Sequence, residues 1–296
     1  MLHPVEYQIP FYEELYKDSK GKSIVLFMDD LTTKPFRVSE WGKENVLKVR
    51  TSNLPKNFKF KYFFCKNFSL WKELLFLNRV NPGIILNIIK YQPKLVILTS
   101  YTSFTNFCIL LISHLLKTKV CLRAEGGLKG REFLKNRKGF IRTNIDKLIN
   151  KADYIFYSCE DNKNYFLVRG ITQNKLLPIL SSVETKFFSK IEYKSKKSYP
   201  YFFMASKLEE RKNILEAING FKRYLRFKKE KKIKLLIAGI GPEYEIIRKN
   251  CNENIITLGY VDDKFEIRKL IQLSLGVILS SLYDPSPKII NESIAC

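Results

Sequence analysis

Leu275 to Cys296 reads LGVILSSLYDPSPKIINESIAC, and this stretch decides the fold. An apolar run, Gly276 to Leu279, ends in a Ser-Ser-Leu-Tyr-Asp-Pro-Ser-Pro loop, and the segment from Lys288 onward has helical character. Strand, loop and helix in that order form one unit of a parallel sheet. The loops after such strands, beside helix N-termini, are where α/β proteins take anionic ligands. One acid stands at the strand's exit, Asp284, and another in the helix's second turn, Glu292.

Upstream, YFFMA from Tyr201 opens a second alternating series. Ile214, Ile218, Phe221 and Leu225 then make one face of a helix running to about Lys229, and LLIAGIGP and IITLGYVD are further strand-to-loop transitions. Three motifs stand out: SKLEERKN (Ser206 to Asn213), AGIGPE (Ala238 to Glu243) and TLGYVDD (Thr257 to Asp263). Followed by the terminal stretch, in that order and spacing, they resemble the C-terminal half of GT-B glycosyltransferases of the retaining, family-4 type (glycosyl transferases group 1). The resemblance covers nearly all of residues 201–296 and continues more loosely through the N-terminal half. It implies an α/β fold of two Rossmann-like domains facing a cleft.

The N-terminal half alternates in the same way. HPVEYQIPFYEEL reads as a loop feeding a helix near Pro10, since Pro suits a first helical turn. Ser23 to Met28 is a buried strand, and Asp29-Asp30 begin a loop. The stretch KNFKFKYFFCKNF interleaves aromatics with lysines, which suits a strand with a basic surface and, less well, a single-stranded nucleic acid platform. Pro82 to Lys90 is a helix. Leu95 to Leu116 carries no charge over 22 residues, yet six Ser, Thr and Asn residues lie in its middle. A strand (Leu95–Leu98), a loop and a buried helix (Phe107–Leu116) therefore fit better than a membrane span. A short strand, Val120–Leu122, runs into Arg123, Glu125, Gly126 and Gly127. Ile141, Ile145 and Leu148 share a helical face. Tyr154 to Tyr157 is a strand with Ser158 and Asp161 as candidate helix caps, and Lys175 to Leu180 is the final strand of this half. Strands alternating with helices predict a parallel sheet.

The expected division is an acceptor-side domain over 1–190, a polar, basic linker over 191–200 and a nucleotide-sugar domain over 201–296. In the resembling family the His3-Pro4 stretch follows the first strand, and here only Met1 and Leu2 precede it. That strand is expected to be missing, which leaves an unpaired strand site. Cys296 falls inside the helix that carries Glu292, so the C-terminal domain is expected to be incomplete.

Composition narrows the class. Forty-five per cent apolar and 14% aromatic content describes a globular chain. The six cysteines form no CxxC pair and the two histidines, His3 and His114, lie far apart. No metal-ligand cluster is therefore expected, and the thiols read as reduced residues of a cytoplasmic protein. The net charge of +23 favours anionic partners, against the plain alternative of lysines that only solvate the surface. An anionic membrane surface is one such partner. Nucleic acid is not expected, because the charge is spread along the chain without a recognition motif.

The resemblance assigns roles residue by residue. Lys207 and Lys212 match the family's Arg and Lys positions for the donor diphosphate. A Lys at 207 keeps the charge but loses bidentate geometry, and the adjacent Arg211 shares the role. Gly239 and Gly241 let backbone approach a ligand. Asp284, in place of the commoner Glu, binds donor-sugar hydroxyls. Ser286, Lys288 and Ile289 offer backbone N–H groups at a helix N-terminus. Glu292 accepts the two ribose hydroxyls. On the acceptor side, Arg123 and Glu125 lie where many relatives carry a strand-end His, with an ion pair at the sheet edge as the competing reading.

The expected function is a retaining, metal-independent glycosyltransferase with no cofactor beyond its nucleotide-diphosphate sugar donor. Its acceptor is a surface polysaccharide or lipid-linked glycan at the cytosolic membrane face. The rival readings are an inactive truncated glycosyltransferase, a GT-B-fold sugar-nucleotide epimerase and a basic nucleic-acid-binding protein.

Overall fold

A computed structural model describes residues 8–28, 36–37, 49–50, 57–66, 68, 80–99, 103–123, 127, 149–179, 183–191, 199–229 and 232–296. The chain forms two compact units, Met1–Phe36 with Thr51–Leu180, and Arg37–Arg50 with Ser181–Cys296.

The first unit opens with helix α1 (Ile9–Asp18), with Pro10 in its first turn as expected. Strand β1 (Ile24–Phe27) follows. The two-residue strands β2 (Phe36–Arg37) and β3 (Val49–Arg50), which fall at or within the Arg37–Arg50 segment assigned to the second unit, pair with each other, and β4 (Lys61–Phe64) pairs in parallel with β1. The side-chain period of two splits the first strand between two cores. Val25 and Phe27 enter an aromatic cluster with Tyr12, Phe58 and Phe60. Leu26 and Met28 instead join the main core with Ile84, Ile88, Ile109 and Leu122.

After α2 (Pro82–Tyr91) comes a four-stranded parallel sheet in simple order. It consists of β5 (Leu95–Leu98), β6 (Lys119–Arg123), β7 (Tyr154–Tyr157) and β8 (Leu176–Pro178). Helix α3 (Phe104–Leu115) links β5 to β6, and α4 (Glu160–Leu167) links β7 to β8. The β1–β4 pair and this sheet share the main core but are not hydrogen-bonded to one another, so among the described residues β5 is an open edge.

Two starts differ from the sequence expectation. Helix α3 begins at Phe104 and not at Phe107, because the Ser103 hydroxyl accepts the Asn106 N–H at 3.3 Å and caps the earlier turn. For α4 neither Ser158 nor Asp161 is the cap. Cys159 occupies that position, and Asn162 reaches back to accept the Ser158 N–H at 3.1 Å. The helical face expected at Ile141, Ile145 and Leu148, the loop at Asp29 and Asp30, and His3 all lie outside the described residues.

Asn81 ties three elements together. Its carboxamide oxygen accepts the Ile84 N–H (3.1 Å) and its Nδ2 donates to Cys65 O (2.9 Å), while its backbone N–H donates to Thr105 Oγ1 (2.8 Å). The side chain is fully buried. Asn81→Ala removes a helix cap and strands a buried carbonyl, so we expect a loss of about 2 kcal/mol, read from the urea midpoint at unchanged slope. A midpoint equal to that of the parent would remove the cap from this account.

The second unit begins with the short helix α5 (Thr185–Phe188) and then alternates: β9 (Tyr201–Ala205), α6 (Ile214–Lys228), β10 (Lys234–Ala238), α7 (Tyr244–Lys249), β11 (Ile255–Gly259), α8 (Lys264–Gln272), β12 (Gly276–Val277) and α9 (Lys288–Ala295). Its sheet is parallel in the order β11-β10-β9-β12. Both faces are covered. Met204, Leu235 and Ile237 pack under α6 with Ile214, Ile218 and Phe221, while Tyr201, Phe203, Leu236 and Ala238 pack on the other side with Leu270 and Ile289. Burial on both faces is why these strands read as continuous apolar runs.

The boundary between units falls at Leu180/Ser181, ten residues before the expected end of the first domain. The cause is Phe188, which is buried in the second unit's core. Gln272 Nε2 donates to Phe188 O at 2.7 Å, and Arg268 Nη1 donates to Phe187 O at 2.7 Å.

Candidate functional site

The four strands of the second unit's sheet run the same way, so the loops that leave β9, β10, β11 and β12 gather at one end of it. The loop after β9, Ser206 to Asn213, holds a 3-10 turn at Glu210–Lys212 and ends with Asn213 in the left-handed region. It is fastened to the loop after β12. The Leu282 N–H donates to Arg211 O at 2.9 Å, and Ser280 Oγ donates to Lys212 O at 2.8 Å.

These clasps aim Lys212 inward, where its ammonium donates to Asp284 Oδ2. The pair is largely buried, with side-chain exposures of 9% and 14%. The other oxygen of Asp284 accepts the Ser286 N–H at 3.4 Å. Pro287 occupies the N-cap position of α9 and has no side chain to cap it, so the first turn presents its dipole to what lies in front.

Lys212, Asp284, Ser286, Lys288, Ile289 and Glu292 line one cavity of about 480 Å³. All six are candidates from the sequence. Burial raises the Glu292 carboxyl above the ordinary carboxylate range, partly opposed by the Lys288 ammonium one turn earlier.

The remaining candidates lie elsewhere. Lys207 and Arg211 do not line the cavity. Both pair with Glu209, at 3.4 Å and 2.6 Å, and Arg211 also donates to Tyr283 O. They frame the loop and hold its shape. Gly239 and Gly241 do permit a close approach, but to the protein's own chain. A Cβ at Gly239 (φ +144°) would lie 1.9 Å from Ser206 O, and one at Gly241 would lie 2.2 Å from Leu208 O. These approaches seat the loop that carries Lys212. Arg123 ends β6 in the first unit, and Glu125 lies outside the described residues.

The structure adds cavity residues that sequence reasoning passed over. Asp262 and Lys264 enter from the turn between β11 and α8, where Asp263 caps the helix by accepting the Phe265 N–H at 2.9 Å. The TLGYVDD motif held that signal, since its acids follow a strand exit. Ser206 and Phe188 also line the cavity. Phe188 comes from a helix that the sequence reading placed in the other domain, so nothing local pointed to it.

Chemically, the cavity joins the ammonium groups of Lys212, Lys264 and Lys288 to a helix N-terminus, above an apolar floor that includes Leu279 and Ile289. Such a set binds a polyanion with an apolar part. The carboxylates Asp262, Asp284 and Glu292 accept hydroxyl groups. Among the described residues no group of three or more His, Cys, Asp or Glu side chains is placed to hold a metal ion.

The whole fold is similar to Anabaena HepE in complex with UDP and glucose, at TM-score 0.63 and 12% identity over 99% of this chain and 76% of that one. A UDP-forming alpha,alpha-trehalose-phosphate synthase from Burkholderia xenovorans gives 0.64 at 9% identity over 99% and 80%. The lipopolysaccharide outer core galactosyltransferase WaaB in its apo form gives 0.55 at 15% identity over 80% and 63%. No curated protein sequence matches the chain. Residues 185–296 match the family model described as glycosyl transferases group 1, a span that contains every residue of the cavity. The match is confined to that span, and the fold of the chain, with its two parallel-sheet units, is that of the GT-B glycosyltransferases among these structures.

Proposed function

We propose that this chain is a retaining glycosyltransferase that takes its sugar from a nucleotide-diphosphate donor held in the cavity of the second unit. The observation that carries the reading is the convergence of Lys212, Lys288 and the N-terminus of α9 in front of Glu292, within the group 1 span. In such a transfer negative charge builds on the departing diphosphate while the anomeric carbon becomes positive. Preorganised ammonium and amide groups lower the first cost without a metal. Glu292 accepts the ribose hydroxyls and Asp284 a donor-sugar hydroxyl, while the leaving phosphate serves as base on the face where the acceptor attacks. The acceptor is a surface polysaccharide or lipid-linked glycan, reached at the cytosolic face of the membrane.

The test is calorimetric titration with UDP, GDP, ADP and CMP. One nucleoside diphosphate binds saturably, and Glu292→Gln weakens it by about 1–3 kcal/mol. Equal affinity in the variant would take Glu292 out of the site. Acidity gives a second reading. The elevated carboxyl of Glu292 protonates at a higher pH than an ordinary glutamate, so nucleotide affinity drops on the acid side in the parent and not in Glu292→Gln. Without ligand the sign reverses. A carboxyl raised by folding stabilises the protein fully below its unfolded value, and that contribution is lost as pH rises through the folded value.

A further inference from the structure

The first unit carries a surface that the donor site does not use. From Leu74 to Ala124 the chain has no Asp or Glu, while Arg79, Lys90, Lys94, Lys117, Lys119 and Arg123 fall in the same stretch. That stretch folds into α2, β5, α3 and β6, so these four elements carry no acid of their own.

The outer faces of α2 and α3 are apolar where solvent should favour polar groups. Leu86 is 64% exposed and Leu115 79%, with Ile89 and Leu111 also exposed. The inner faces of the same helices, Ile84 and Ile88, Ile109 and Leu110, fill the core, so these helices are apolar on both sides. Their C-terminal ends lie side by side. Thr118 Oγ1 donates to Pro93 O at 2.8 Å, and the Lys119 N–H donates to Lys94 O at 3.0 Å. Lys90, Lys94 and Lys117, all exposed, gather there. Tyr91 lies among them, its ring centre 5.1 Å from Lys61 Nζ and 5.5 Å from Lys90 Nζ. Among the described residues Asp153 approaches from outside the stretch; it is paired with Lys119 at 2.7 Å and accepts the Val120 N–H.

We propose that this face of α2 and α3 docks on an anionic lipid bilayer, with the leucines in the headgroup boundary and the lysines on lipid phosphates. An amphipathic Tyr beside lysines suits the headgroup level, and exposed aliphatic side chains on helices whose C-terminal ends carry cations bind an apolar layer with a negative surface. Nucleic acid uses the lysines but gives Leu86 and Leu115 nothing to bury. A second copy of the chain buries the leucines but brings the lysines against like charge. The helices, of 10 and 12 residues, lie on the membrane, and among the described residues no helix is long and apolar enough to cross it. The inference does not rest on the donor-site reading, since nucleotide and vesicle binding are measured apart.

The experiment is flotation of the full chain with phosphatidylcholine vesicles, and with vesicles of about one-third phosphatidylglycerol. The chain is expected to float with the anionic vesicles only, and less at about 0.5 M salt. Lys90→Glu with Lys94→Glu and Lys117→Glu lowers the partition more than tenfold. Leu86→Ser with Leu115→Ser lowers it severalfold, and both variants keep the parent's circular dichroism and nucleotide affinity. Equal flotation with neutral vesicles, or anionic flotation unchanged in both variants, would overturn the proposal. So would duplex binding lost with the lysines in a protein that ignores vesicles, or a dimer by light scattering that the leucine variant dissolves.

Discussion

Lys212→Ala lowers the stability of the second unit by about 3 kcal/mol and removes most of its nucleotide affinity. The stability arises from Asp284, which is left nearly buried without the ammonium that compensates it. Breaking one side of such a pair is far more costly than replacing both sides. Lys212→Met with Asp284→Leu therefore recovers most of the stability while binding stays lost. Urea denaturation reads the first effect and calorimetric titration the second. An unaltered nucleotide affinity in Lys212→Ala would refute a phosphate role for this residue, whatever its effect on folding.

Gly239→Ala destabilises the same unit by more than about 3 kcal/mol and disturbs the site indirectly. Its φ of +144° is a conformation that side chains with a Cβ rarely adopt, and the new carbon would sit 1.9 Å from Ser206 O. Backbone, not a flexible side chain, must move. The loop that shifts leads to Lys212, so nucleotide affinity falls together with stability. Gly259→Ala is the control. It has φ of +66° and nothing within 4 Å of the added carbon, so it carries only the left-handed cost of about 1 kcal/mol. Equal losses from the two would show that the contact with Ser206 is not the cause.

Much of the fold was legible because apolar runs bounded by turn residues mark its elements. The strands Leu95–Leu98, Tyr154–Tyr157 and Tyr201–Ala205 and the start of α9 at Lys288 match the apolar runs and turn residues that mark them. What failed were caps and borders. Ser158 has the better capping chemistry, but Asn162 reaches back and moves the helix start by one residue. Phe188 belongs to a core formed with residues beyond the linker, and no local pattern reports a partner so far along the chain.

The site was legible in the same uneven way. Residues on one loop and one helix, Asp284 to Glu292, are grouped by the resemblance of the motifs around them, since their spacing alone is a weak signal. Lys207 and Arg211 share a motif with Lys212 but differ in where their side chains go, because Glu209 takes both. The two glycines announced a close approach without saying to what.

The bond between Lys212 and Asp284 joins residues 72 positions apart, and Ser280 and Leu282 fasten the same two loops. Such pairings form only after a long loop has closed, so they lie late on the route from the unfolded chain. The unit therefore acquires the β9, β10 and β11 part of its sheet before the cavity, whereas β12, which pairs Gly276 with Phe202 across a loop as long, arrives together with it. Refolding followed by tryptophan-free probes of β-structure should run ahead of refolding followed by nucleotide capture. A nucleoside diphosphate present from the start pulls on the last step alone, slowing unfolding and leaving the early rate as it was.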